Sequence, residues 1–281
     1  MKNIDRLAVI LVGEFRTWVR ASEYLFKFFD QRAHQVDYFF ITWNVTSQTG
    51  ELIPVTEEMI REPFDRRGTN LINFKILEPI GRHRTTFYNQ AYLAKIGNLL
   101  KKKQEFQGSF IYDQVVETRP DCYFRTTSTS WKMCKDFEFE AEGIPRVWSN
   151  GLLGMTDVYI RTNSMTNDII ADRYYFRKNK FLASLIEKSS WKFNDHHWTI
   201  SDFLMHRRLI FLDYAASKSD HPILCGDHRF FCCIRPNFPE DMDLDAEDYR
   251  TLDHLFVSYK KNEEFFYGPR GNSPLVDINT D

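Results

Sequence analysis

Leu7 to Val12 reads LAVILV, a near-continuous apolar run too short for a membrane span and without the alternation of a half-wet strand. Such a run fits a strand covered on both faces, and strands of that kind belong to parallel sheets packed between helices. The next residues keep that pattern. Gly13 to Trp18 is a turn, and Leu25, Phe26, Phe28 and Phe29 then form a helical stripe. A second strand over Val36 to Ile41 ends in Thr42-Trp43-Asn44, and a third apolar run, Leu71 to Leu77, is closed by Pro79 and Gly81. The polar segment between them, with Gly50, Pro54, Pro63 and Gly68, reads as loop with a short helix. Thr86 to Phe106 has Tyr88, Ala91, Tyr92, Lys95 and Leu99 at helical spacing. The next strand buries Phe110, Ile111, Val115 and Val116 before it reaches Arg119. Strand and helix alternate through residue 121, which predicts an α/β fold with a mostly parallel, Rossmann-type sheet flanked by helices.

The second half is less regular. Val147 to Asn150 and Leu153 to Thr156 read as short strands, and Thr166 to Lys188 as a helix broken at Asp172-Arg173. A further helix is expected over Thr199 to Arg208, then the apolar Leu209 to Leu212, and a last helix near Glu247 to Tyr259. With no repeat and no low-complexity linker, residues 1–281 read as a single domain.

Composition narrows the class. A formal net charge of −2 with 27% charged residues does not force binding to a polyanion. The 25 Phe, 13 Tyr and 6 Trp are expected mostly in the core. Gly13, Glu14 and Arg16 stand where a secretory leader would show its cleavage site, and no run is long enough to insert in a membrane. Five cysteines without scaffold spacing favour a reducing compartment, hence the cytoplasm, or a host's cytoplasm for a viral protein.

Chemistry concentrates where strands end. Arg119-Pro120-Asp121 delivers one cation suited to phosphate and one carboxylate suited to a divalent metal at the carboxyl end of a strand, the edge where open α/β sheets bind ligands. A proline there also simply stops a strand. Gly13-Glu14-Phe15-Arg16 follows the first strand but has one glycine where a dinucleotide fingerprint needs three, and no P-loop is present, so NAD is not expected. Arg16 remains, with a forked guanidinium that would clamp a diphosphate or make an ordinary ion pair.

In order along the chain, VILVGEFRTW, DYFFITWN, FYNQAYLAKIGNLL and YDQVVETRPD resemble the amino-terminal half of a family of nucleotide-sugar glycosyltransferases with a GT-A-like fold, of viral and bacterial type. The resemblance covers about half the chain. It implies one transferase domain, with residues 1–125 as its donor-binding half and 126–281 as its acceptor-side half. It also implies that Gly13, Arg16 and Thr17 form the donor-binding turn, that Thr42, Trp43 and Asn44 wall the nucleotide-sugar pocket, and that Asp121 stands in place of the acidic metal motif. A UDP-sugar is the donor it favours. A full DxD motif has two carboxylates, whereas Cys122 and Tyr123 follow Asp121. Either this one carboxylate shares Mn²⁺ or Mg²⁺ with the donor phosphates, or Arg119 and Arg16 neutralise the leaving diphosphate unaided. Later, Ile170 to Phe176 resembles the family's aspartate-arginine-aromatic segment, so Asp172 would orient the donor sugar or an acceptor hydroxyl and Arg173 would pair with phosphate. The alternative for both is a helix-surface pair. Near HHWTISDFL the family's glutamate is missing, leaving Asp195, His197 and Asp202 as substitutes. An inverting enzyme needs one of these carboxylates as general base, whereas a retaining one needs none, and the sequence does not choose between them.

Cys225, His228, Cys232 and Cys233 match no strong zinc signature. Arg66-Arg67, Arg82-His83-Arg84 and Lys101 to Lys103 would bracket a phosphate backbone if the acceptor were a hydroxymethylated DNA base, as in some phage enzymes, and would otherwise be a solvated surface. A glycan or a small molecule is an equally suitable acceptor, and a catalytically idle nucleotide-binding or interaction protein is the reading from another class.

Overall fold

The computed structural model of the protein describes residues 4–48, 51–78, 87–124, 133–144, 154–174, 207, 210–213, 231–234 and 238–245. In chain order the elements are β1 (Ile4–Val12), α1 (Trp18–Asp30), β2 (Ala33–Trp43), β3 (Val45–Gln48), β4 (Glu51–Pro54), α2 (Glu57–Arg67), β5 (Leu71–Leu77) and α3 (Phe87–Gly108). They continue as β6 (Gln114–Thr118), β7 (Cys122–Phe124), β8 (Glu138–Ile144), β9 (Gly154–Thr162), α4 (Ser164–Ala171), β10 (Ile210–Asp213) and β11 (Phe231–Cys233).

The apolar run that opens the chain is the middle of this fold. β1 lies between β2 and β6, parallel to both, in a seven-stranded sheet ordered β10-β8-β9-β6-β1-β2-β5. Its residues alternate between two cores. Leu7, Val9 and Leu11 pack into one with Trp18, Leu25, Phe26 and Phe29 of α1, while Ala8, Ile10 and Val12 pack into the other with Leu93 of α3. Each large apolar side chain so buried contributes about 1.5–3 kcal/mol relative to exposure. Only β9 runs against the rest, pairing antiparallel with β6 and β8, so the sheet is mixed but mostly parallel. The architecture is α/β, as the alternation predicted.

Two crossovers position the site. α1 and α2 lie on one face as the chain steps from β1 to β2 to β5. α3 then carries it across the opposite face to β6, on the far side of β1. The order of connection therefore reverses between β1 and β6, and their carboxyl ends bring Gly13 and Arg119 side by side.

Several expectations are adjusted. The polar segment before β5 holds a hairpin, β3 against β4, and then α2, which is capped at one end by the Thr56 hydroxyl accepting from the Met59 N–H and at the other by Gly68 at φ 69°. β6 begins at Gln114, and Ile111, expected to be buried, is 74% exposed in the loop before it. The strand placed at Leu153 to Thr156 belongs to the longer β9, and the apolar run after Arg208 is β10. α4 ends where Asp172-Arg173 was expected to break a helix. The expected strand at 147–150 and the expected helices at 199–208 and 247–259 lie outside the described residues, apart from Arg207.

Candidate functional site

Gly13, the first residue beyond β1, adopts φ 136° while its N–H donates to the Ile41 carbonyl oxygen at 3.2 Å. A methyl group there would meet only ordinary contacts, 3.6 Å from Pro120 and 3.8 Å from Arg119, so the dihedral rather than lack of space selects glycine. Those neighbours also show that the turns after β1 and β6 touch. Phe15 buries its ring against Phe40 and anchors the turn. Arg16 then sits at φ 35°, an uncommon conformation for a residue with a side chain, held there by its N–H donating to Thr46 Oγ1 at 2.8 Å.

From this position the Arg16 guanidinium is shared between two carboxylates. Its Nε donates to Glu14 Oε2 at 2.7 Å, and its Nη1 lies 3.7 Å from Asp121 Oδ2. Arg119 grips the same Asp121 with both arms of its fork, Nε to Oδ1 at 2.9 Å and Nη2 to Oδ2 at 2.7 Å. Asp121 is wholly buried, and its carbonyl oxygen accepts from the Ile234 N–H at 2.7 Å. The Ile234 carbonyl in turn accepts from the Thr17 hydroxyl at 2.9 Å. Two guanidinium groups and two carboxylates thus meet at the reversal point, tied there by the residue that follows β11.

The remaining candidates take other positions. Thr42 is buried, with a hydroxyl that has no hydrogen-bond partner among the described residues. Trp43 is 1% exposed and packs with Ile10, Val12 and Leu93, so its ring serves the core. Asn44 ties turns together through its backbone, donating to the Leu77 carbonyl and accepting from the Val55 N–H, both at 2.8 Å. Asp172 caps α4 and accepts from Lys95 Nζ at 2.9 Å, and Arg173 is buried against Glu117 of β6. Asp195, His197, Asp202, Cys225 and His228 lie outside the described residues.

Of the basic clusters, Arg82-His83-Arg84 lies outside the described residues, and the other two do not share a face. Arg66 and Arg67, at the end of α2, pair with Glu23, Glu62 and Asp30 on the α1 side. Lys101 lies on the opposite side and is wholly buried, its ammonium donating to Ser164 and to Asp168 Oδ1 at 3.0 Å. Burial lowers its pKa against the opposing pull of Asp168 and Glu105. Sequence reasoning missed Glu14, Thr46, Glu117 and Ile234. Glu14 stood in the same turn as Arg16 and was open to notice, whereas Ile234 acts through its backbone, which no residue pattern marks.

Asp121 as placed does not fit a divalent cation. Both oxygens accept from Arg119, Arg16 adds a second positive charge 3.7 Å away, and the carboxylate is 0% exposed. Cation ligands are carboxylates turned toward open coordination positions, and this one is turned into a pair of cations.

Fold and cluster together define a doubly wound α/β protein with a cluster of paired arginines and carboxylates at the switch point of its sheet. Comparison with protein-family models and with curated proteins returned no match. Among the described residues no helix is long and apolar enough to cross a membrane.

Proposed function

We propose that this protein is a nucleotide-sugar glycosyltransferase of GT-A-like fold, acting in the cytoplasm on a UDP-sugar or a related donor and a hydroxyl acceptor. The observation that carries this reading is the meeting of Arg16 and Arg119 at the point where the sheet's connections reverse. Those two residues come from separate motifs of the family resemblance, 103 positions apart by their numbers (119 − 16), and a common ligand accounts for bringing both to one crevice. In the transfer, the bond between the anomeric carbon and the diphosphate oxygen breaks while the acceptor oxygen bonds to that carbon. Negative charge builds on the leaving diphosphate, and two preorganised guanidinium groups would stabilise it more in the transition state than in the bound donor. The acceptor proton goes to a base that the second half would supply, for which Asp195 and Asp202 are the candidates.

We favour a glycan or small-molecule acceptor over duplex DNA, because Lys101 is buried and Arg66 and Arg67 are paired with Glu23, Glu62 and Asp30 on the other side of the sheet. One observation favours a second reading, an idle nucleotide-binding protein: both carboxylates of the cluster are occupied by guanidinium groups and neither is poised as a base. Thermal unfolding against UDP-, GDP- and CMP-sugars, followed by an assay of nucleotide release, separates the two. A stabilising donor that is turned over supports the transferase. Stabilisation without release supports the idle protein, and silence across the donors removes both.

A further inference from the structure

Resting on the donor-binding reading, we infer that this crevice holds a nucleoside diphosphate by guanidinium exchange, without a divalent cation, and that Asp121 is the residue that positions Arg16 and Arg119 rather than a metal ligand. A carboxylate and a phosphate present the same target to a forked guanidinium: two oxygens in one plane, spaced for parallel N–H donors. Asp121 therefore holds both arginines in the geometry that a phosphate requires, before any phosphate arrives.

The cluster is graded for exchange. The grip of Arg119 on Asp121 is short and twofold, at 2.9 and 2.7 Å, while Arg16 reaches the same carboxylate at 3.7 Å. Of the two arginine contacts to Asp121, the longer is the one an incoming phosphate oxygen displaces at least cost. Arg119 is 17% exposed where Asp121 is 0%, so a ligand meets the guanidinium and not the acid. Asp121 is pinned from behind by the Ile234 N–H, which opposes a swing of its backbone toward solvent. A metal bound here would have to strip Asp121 of its arginines first.

The test is calorimetric titration of the full chain with UDP, and with GDP if UDP is silent, in excess EDTA and in excess Mn²⁺. The expected result is affinity in EDTA within about tenfold of that in Mn²⁺, a difference of no more than about 1.4 kcal/mol. Binding that requires Mn²⁺ and vanishes in EDTA overturns the inference and leaves the donor reading standing. No binding of either nucleotide under either condition overturns both. Two variants, each first shown to melt as a folded protein, sharpen the outcome. Arg119→Lys keeps the charge but loses the fork, and is expected to weaken UDP binding about tenfold or more with no rescue by Mn²⁺. Asp121→Asn leaves one oxygen to accept from Arg119 and sets an amide N–H against the other arm of the fork, so the arginines lose their alignment and affinity in EDTA is expected to fall, with no rescue by Mn²⁺. Unchanged affinity in EDTA in either variant overturns the assignment.

Discussion

Arg173 and Glu117 form an ion pair in which the side chains are 4% and 2% exposed. Removing one partner of such a pair strands a charge away from water, at a cost of about 3–5 kcal/mol, while replacing both by apolar groups of similar size is often close to neutral. Arg173→Met should therefore lower the denaturant midpoint sharply, and adding Glu117→Leu should restore most of the loss. If Arg173 instead contacts donor phosphate, the doubly substituted protein will recover its stability but not its affinity for UDP, and calorimetry on the same sample distinguishes the two roles. The pair also shows what was legible at this scale. Arg16, Arg119 and Asp121 stand out because each is a charge just beyond an apolar strand. Glu117 is an acid inside a strand whose partner lies 56 residues on, and no local pattern marks it. The adjacent Asp172 and Arg173 looked like one functional unit, yet they part company, one to Lys95 and the other to Glu117.

Among the elements, α3 makes the sharpest case, because Gly97 sits within it where propensity alone would favour alanine by about 1 kcal/mol. A methyl group at Gly97 would lie 2.3 Å from Ile10 Cγ2 on β1 and 3.0 Å from Ile41 Cδ1 on β2. The glycine lets the helix come down onto the sheet, and overpacking such a contact costs about 1–3 kcal/mol, enough to cancel or exceed the propensity gain. Gly97→Ala is expected to lower the urea midpoint with an unchanged slope. A raised midpoint would mean that the helix shifts freely and that this contact does not set its height above β1 and β2. The same element was readable because its apolar positions recur at helical spacing, as β1, β2 and β5 were readable from dense apolar runs. The hairpin of β3 and β4 was not, since its strands are four residues each, too short to show a period, and its pairing is all that defines it. β7 and β11 escaped for a related reason: Cys122 pairs with Cys233, and nothing near either residue in sequence specifies the other.

At the scale of the whole molecule, the half that carries the Gly13 turn is closed by chain from the other half. β6 is paired on its outer side by β9, and β7 by β11. Beyond β11, Phe238 and Met242 offer carbonyl oxygens to Arg20 of α1 at 2.9 and 3.1 Å, and the Leu244 carbonyl accepts from the Tyr123 hydroxyl at 2.9 Å. Ile234 ties Asp121 to Thr17 across the crevice itself. Cutting the chain at residue 125 would leave β6 as a bare edge strand, uncover the α1 core where Ile234, Phe238 and Leu244 now lie, and release the backbone that pins Asp121. Residues 1–125 alone are therefore expected to show no cooperative unfolding transition and no near-ultraviolet dichroism from their packed aromatics. The full chain should lose the fluorescence of its tryptophans and its far-ultraviolet signal together in urea. A fragment that unfolds cooperatively, with native-like aromatic dichroism, would show that the donor half is a unit of its own; the segment after β11 would then be an attachment to the crevice rather than part of what holds it in shape.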